Sequence, residues 1–279
     1  MGVSPPGGAP TSGRERRRVS VVGVAGELLL TAGVIVLLFV AWQLWISDII
    51  SGAQNNARAH ELAQQWSAEA TTDPTPDASE EPTEPTEPPV PTEPAEIVPP
   101  VAPEPGDGEV FGIMYIPSFG PDYAVQMAGG VSRSRTLDTI GIGHYPGTQM
   151  PGEVGNSAYA AHRTGYGGSP FYRIAELRVG DPIVIETPDG WYTYRFRNLE
   201  YVKPWAVNVL HPVPQDISTP AGERYLTLTS CSPKHTAIER IVAYSSFDSF
   251  QPRADGPPAV LLPEPPAPTE TPTPVKEAA

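Results

Sequence analysis

Residues 225–245 read YLTLTSCSPKHTAIERIVAYS, and the architecture follows from them. Strand-forming residues alternate up to Cys231, and nine positions later Arg240 opens a second run, RIVAY. Alternation with a period of two marks a strand whose faces differ. A loop of that length can bring two adjacent strand ends together, which would set Cys231 beside Arg240. A thiol attacks only as thiolate, so a neighbouring cation favours the reactive form and also stabilises an oxyanion. Spacing alone is equally compatible with a surface cation on a strand.

The surrounding region, residues 109–251, reads as mainly β. In residues 191–197, WYTYRFR, Tyr192, Tyr194 and Phe196 fall on one face, with Thr193, Arg195 and Arg197 on the other. Further strands are expected at 112–116, 157–161, 182–186, 225–229 and 240–244. Gly, Pro, Asn and Asp separate these short runs, which favours a barrel or sandwich over a parallel α/β sheet. A short helix is expected at 170–177, after Ser169 as its cap. No glycine-rich phosphate loop or dinucleotide fingerprint is present, and no His/Cys/Asp cluster has metal-ligand spacing.

Composition brackets this domain. Of the 36 prolines in 279 residues, twelve lie in 71–108 and nine in 252–279, leaving the middle long enough for one domain with a core. Residues 71–108 also carry ten acidic residues and no Lys or Arg, so they supply most of the net charge of −14. Pro-Thr-Glu repeats of this kind read as an extended, disordered spacer. Residues 252–279 read as a disordered tail of similar composition. No basic face points to nucleic acid.

Residues 28–46, LLLTAGVIVLLFVAWQLWI, form a nineteen-residue apolar run. At a rise of about 1.5 Å each they span about 28 Å, close to the thickness of a bilayer core. A signal peptide has a shorter apolar region, and Trp42 and Trp45 suit a membrane boundary. Arg14, Arg16, Arg17 and Arg18 precede the run, so residues 1–27 are expected in the cytoplasm and everything after Ser47 outside. Glu27 then lies at the inner interface. Residues 47–70 read as a juxtamembrane helix, with Ile49, Ile50, Ala53, Ala57, Ala59 and Leu62 loosely at helical spacing. One cysteine in an outside domain has no internal disulfide partner, which draws attention to Cys231 as a working thiol.

The chain resembles the sortase family. Thr227-Leu228-Thr229-Ser230-Cys231, followed by Arg240-Ile241-Val242, is similar to the family's TLxTC signature with its downstream arginine. Residues 155–163, GNSAYAAHR, resemble the segment that carries the family's histidine, here His162. Phe171, Ile174, Leu177 and Gly180-Asp181 match the short helix and Gly-Asp turn that follow, and Ile116-Pro117 fits the first strand. Residues 26–45 and 143–162 look like class E, the actinobacterial housekeeping type. The resemblance implies an eight-stranded sortase barrel, preceded by a transmembrane helix and a Pro-rich linker. It further implies a cysteine transpeptidase with Cys231 as nucleophile, His162 as acid/base and Arg240 as oxyanion stabiliser. Its partners would be secreted proteins with a C-terminal LPxTG-like signal, often LAxTG in class E, and a peptidoglycan precursor amine; no cofactor or metal is called for. Tyr115, Thr229 and Ser230 are the implied substrate-binding residues. Two positions depart from the family pattern: Ala161 stands where Gly usually precedes the histidine, and Ser230 where Thr usually precedes the cysteine.

Other readings compete. Papain-like wall peptidases place Cys before His, the reverse of the order here, and L,D-transpeptidases carry a Ser-x-Gly-Cys segment that is absent. A non-catalytic wall-binding domain would have no need to keep all three groups. Among the other histidines, His144 is expected in a Gly/Pro turn, His211 in a structural role and His235 in the Cys–Arg loop.

Overall fold

A computed structural model describes residues 20–42, 47–72, 98–164 and 168–262. The chain divides into two units, Met1–Ile46 and Ser47–Ala279. The first contains α1 (Val21–Ala41), whose side chains are all exposed and which is long and apolar enough to cross a membrane. It starts seven residues before the expected apolar run. Glu27 therefore sits inside the helix, where its carbonyl accepts a hydrogen bond from Thr31 Oγ1 at 2.8 Å. The expected span's last four residues, 43–46, lie outside the described residues, as do the arginines at 14–18.

The second unit is a closed barrel of eight strands, β1 (Val110–Tyr115), β2 (Ala124–Gly129), β3 (Ile142–His144), β4 (Gly155–Ala161), β5 (Pro182–Thr187), β6 (Gly190–Val202), β7 (Arg224–Ser232) and β8 (Glu239–Pro252). Around the barrel the order is β1-β2-β3-β4-β7-β8-β6-β5. Only β2–β3 and β4–β7 pair in parallel; every other neighbour is antiparallel. Inward residues of each strand make one core, in which Met114, Met127, Ile142, Tyr159, Ile185, Tyr192, Tyr194, Leu226, Leu228 and Ile241 are buried. Tyr192, Tyr194 and Phe196 share that core, as their alternation in β6 requires. Burial of Tyr194 leaves its hydroxyl in need of a partner, and it accepts a hydrogen bond from Gly152 N at 2.9 Å.

Two strands have no counterpart in the sequence reading. β2, AVQMAG, lacks polar–apolar alternation because both faces are covered, the inner by the core and the outer by α2 (Ser47–Thr72). β3 is too short to show a period. The expected helix at 170–177 reduces to a 3₁₀ turn at Ile174–Glu176, whose N-cap position is Arg173; Ser169, with φ of 47°, lies upstream of it. His144 is not in a turn but buried on β3, where Nε2 lies 3.0 Å from Gln149 O and burial lowers its imidazole below the ordinary range.

The helix α2, over the residues expected as a juxtamembrane helix, lies along the barrel. Ala59 is fully buried against Ile113 and Ala124, with Leu62, Ala63 and Trp66 packed around them. Asn55, Ala59, Leu62, Ala63 and Trp66 form the stripe, an i, i+4, i+7, i+8, i+11 pattern that turns one face inward. Of the residues expected on that face, Ala59 and Leu62 belong to it, whereas Ala53 and Ala57 are exposed.

Both Pro-rich flanks contribute structure. Residues 98–108, expected in the spacer, lie on the barrel: Tyr192 Oη donates to Pro100 O at 2.8 Å and Gly108 N to Gly129 O at 2.8 Å. Gly129 permits this approach, because a Cβ there would run into the carbonyls of Pro105 and Gly106. Residues 252–262, expected in the tail, form two 3₁₀ turns, Arg253–Asp255 and Ala259–Leu261. Composition alone does not reveal these hydrogen bonds to the barrel. Residues 73–97 of the spacer and 263–279 of the tail lie outside the described residues.

Candidate active site

The pairing of β7 with β8 sets Cys231 opposite Arg240. Side chains directly opposite one another on antiparallel strands project to the same face, so sulfur and guanidinium share a side of the sheet. On the other edge of β7, β4 runs parallel with Ala160 beside Thr229. One step further the chain leaves β4 at Ala161, and His162 follows next to the end of β7. Three strand ends therefore bring the three groups together, although 69 positions separate His162 from Cys231.

Hydrogen bonds between strand ends hold this arrangement. Ser230 Oγ donates to Ala161 O at 2.7 Å, tying the residue before the cysteine to the residue before the histidine. Arg163 Nη1 donates to Ser232 Oγ at 3.2 Å and to Cys231 O at 3.4 Å. Arg240 Nη1 donates to the carbonyls of Ala237 and Glu239 at 3.2 and 3.0 Å, which orients the guanidinium. Cys231 is half-buried and is the chain's one cysteine.

A cavity of about 410 Å³ is lined by Cys231, His162, Arg240, Thr229 and Ser230, together with Tyr145, Arg133 and Leu137. Tyr145 Oη lies 2.9 Å from Thr229 Oγ1, so that hydroxyl pair forms part of the wall. Five of the six expected site residues thus meet in one place.

Tyr115 does not. It lines a separate cavity of about 730 Å³ beside α2, where its hydroxyl donates to Glu186 Oε2 at 2.6 Å. Glu186 in turn pairs with Arg253 at 2.9 Å, and the guanidinium stacks over Trp191 with its carbon 4.8 Å from the ring centre. Burial and the adjacent carboxylate hold the Tyr115 phenol well above its ordinary range. β1 carries Tyr115 on the face that α2 covers, so it does not join the other five residues in the Cys231 cavity.

The sequence reading also assigned no carboxylate to the histidine, and the structure supplies one. His162 Nε2 lies 2.6 Å from Asp138 Oδ1. Asp138 ends a single π-helical turn, Arg133–Leu137, and its backbone N–H donates to Arg133 O at 2.8 Å. Arg133 Nε approaches the same carboxylate oxygen at 3.7 Å. No spacing rule could have found Asp138, because it lies in an irregular loop whose position is set by the barrel. His211 serves structure through its carbonyl, which accepts Asn156 Nδ2 at 3.0 Å, and exposed His235 donates its backbone N–H to Thr164 Oγ1 at 3.0 Å. Among the described residues no group of three or more His, Cys, Asp or Glu side chains could hold a metal ion.

Comparison with known proteins agrees with this geometry. The Sortase domain family profile matches residues 114–248. Sortase SrtE1 of Streptomyces coelicolor is 33% identical over 243 residues, a match that covers 85% of this chain and 60% of that protein. Among solved structures, the SrtA sortase from Actinomyces oris matches with a TM-score of 0.55 and 34% identity, over 60% of this chain and 95% of the other. Sortase E1 from Streptomyces coelicolor, solved with a tripeptide in its active site, matches with a TM-score of 0.52 and 34% identity, over 57% of this chain and 99% of the other.

Proposed function

The chain belongs to the sortase family of cysteine transpeptidases, and from that we propose that it cleaves an LPxTG-like C-terminal signal, with Ala preferred at the second position, between Thr and Gly. The cleaved protein is then joined to the amine of a cell-wall precursor. The observation that carries this reading is the convergence of Cys231, His162 and Arg240 on one cavity.

The chemistry follows from their roles. The Cys231 thiolate attacks the threonine carbonyl carbon, and the carbonyl electrons move onto oxygen beside the Arg240 guanidinium. The C–N bond then breaks as the His162 imidazolium gives its proton to the departing glycine amine, leaving a thioester. Neutral His162 next takes a proton from the incoming amine, which attacks the thioester. The C–S bond breaks and sulfur leaves as thiolate, restoring the starting pair. One amide is exchanged for another, so the cycle requires no ATP.

Helix α1 acts as the membrane anchor in this reading. The arginines at 14–18 keep the N-terminus cytoplasmic and place the barrel outside, where secreted proteins and wall precursors meet.

Full-length protein is assayed with fluorogenic LAxTG and LPxTG peptides and a small amine acceptor. The expected result is faster cleavage of LAxTG, an amide product with the acceptor, and no turnover by Cys231→Ala. A folded wild-type chain that cleaves neither peptide, or a Cys231→Ala variant that matches it, overturns the reading.

A further inference from the structure

Resting on the reading above, we infer that Asp138 is the positioning residue of His162, and that helix α2 holds the loop carrying it. The acid/base group must deliver a proton to the leaving amine and later remove one from the acceptor, so its ring has to keep one orientation through both steps. Imidazole χ2 has a broad torsional minimum, and packing alone leaves the ring free to turn. A carboxylate oxygen 2.6 Å from Nε2 removes that freedom and dictates which ring nitrogen faces the sulfur. The competing partner of Asp138 is weaker: Arg133 approaches at 3.7 Å and is 70% exposed, whereas the His162 side chain is only 16% exposed.

The loop that carries Asp138 is itself fastened. Ile140 N and Gly141 N donate to Thr136 O at 2.8 and 3.0 Å, and Thr139 Oγ1 donates to Arg135 O at 2.6 Å. Thr136 Oγ1 ties the turn to β2 through Gly129 O at 3.1 Å. From outside the barrel, Arg58 on α2 donates Nη1 to Thr139 O at 3.3 Å, next to Asp138. Gln126 Nε2 on β2 donates to Arg58 O at 3.2 Å, fixing that part of the helix against the sheet. The helix also reaches the segment after His162. A Cβ at Gly168 would strike the α2 backbone at Ser51 and Gly52, so only the bare glycine fits there. Thus α2 bears on the loops on both sides of the Asp138–His162 pair.

The test uses the full chain and the LAxTG assay. Asp138→Asn keeps the shape and removes the charge; it is expected to lower kcat by about 10- to 100-fold while KM changes by less than about twofold. Asp138→Glu should recover part of that loss, which a purely structural role would not predict. Arg58→Ala should lower kcat by a few-fold, and Asp138→Asn should cost less in its background than alone, because both act on one orientation. Wild-type kcat in folded Asp138→Asn, or a loss confined to KM, overturns the inference. Where Asp138→Asn does not fold, the decision passes to Asp138→Glu and Arg58→Ala, and wild-type kcat in both overturns it. A wild-type chain without turnover instead marks failure of the transpeptidase reading, so the two failures are distinguishable.

Discussion

Two cavities lie on opposite arcs of the barrel, one beside β4, β7 and β8 and the other between α2 and the strands β1, β5 and β6. The second is the larger, at about 730 against 410 Å³, and it holds the buried ion pair of Glu186 and Arg253. Yet its groups are spent on each other. Tyr115 donates to Glu186, Glu186 pairs with Arg253, and Arg253 stacks between Trp191 and Trp66. The smaller cavity keeps a half-buried thiol, a histidine braced by one carboxylate and an arginine held by backbone carbonyls. Volume and a buried ion pair therefore do not single out the proposed reactive site here; a thiol with polar neighbours does.

The contrast breaks if substitutions on the two sides have similar consequences. The largest effect on turnover short of removing the nucleophile or the acid/base is expected at Arg240. Arg240→Ala should raise the barrier by about 3 kcal/mol, a hundredfold or more in kcat, by removing an oxyanion donor. Its urea unfolding midpoint should barely move, because Arg240 lies at the rim of the barrel. Wild-type turnover by this variant would remove Arg240 from the mechanism.

On the other side the signature should invert. Glu186→Gln leaves the Arg253 charge without its partner in a site where the two side chains are only 3% and 10% exposed. Breaking such a pair from one end should cost about 3 kcal/mol of folding stability, read as a lower urea midpoint. The kcat for peptide cleavage should stay within about twofold. This variant also sharpens the comparison, since Arg253 lies against Trp66 on the same helix that reaches Thr139 through Arg58. A large fall in kcat would mean that α2 transmits disturbance from one cavity to the other.

How far the sequence carried each side follows from where the signal resides. The reactive side was legible because its groups sit at the ends of alternating strands: LTLTSC and RIVAY read as β, and one register brings Cys231 against Arg240. Asp138 was not legible, because an irregular turn places it and nothing local identifies its partner 24 positions away. β2 was not legible because both its faces are covered, with the small residue Ala124 against α2, which erases alternation. Residues 98–108 share the composition of the spacer, so their backbone partners on the barrel could not be read from it. The position of Tyr115 was not legible for a related reason: family resemblance fixed its strand but not what covers that strand's outer face.

The smallest expected effect, at Tyr115, is therefore the sharpest test of the division between the cavities. Tyr115→Phe removes one hydroxyl and keeps the ring packed against α2. The lost hydrogen bond leaves Glu186 with Arg253 as partner, so stability should fall by about 1 kcal/mol, within reach of a urea titration. If Tyr115 belongs only to the α2 side, the ratio of kcat/KM for LAxTG over LPxTG peptides should match that of the wild type. A ratio that moves severalfold towards LPxTG, with stability little changed, would bring Tyr115 back to substrate selection. It would then act through α2 and the loops it braces, since its own side chain lines the other cavity.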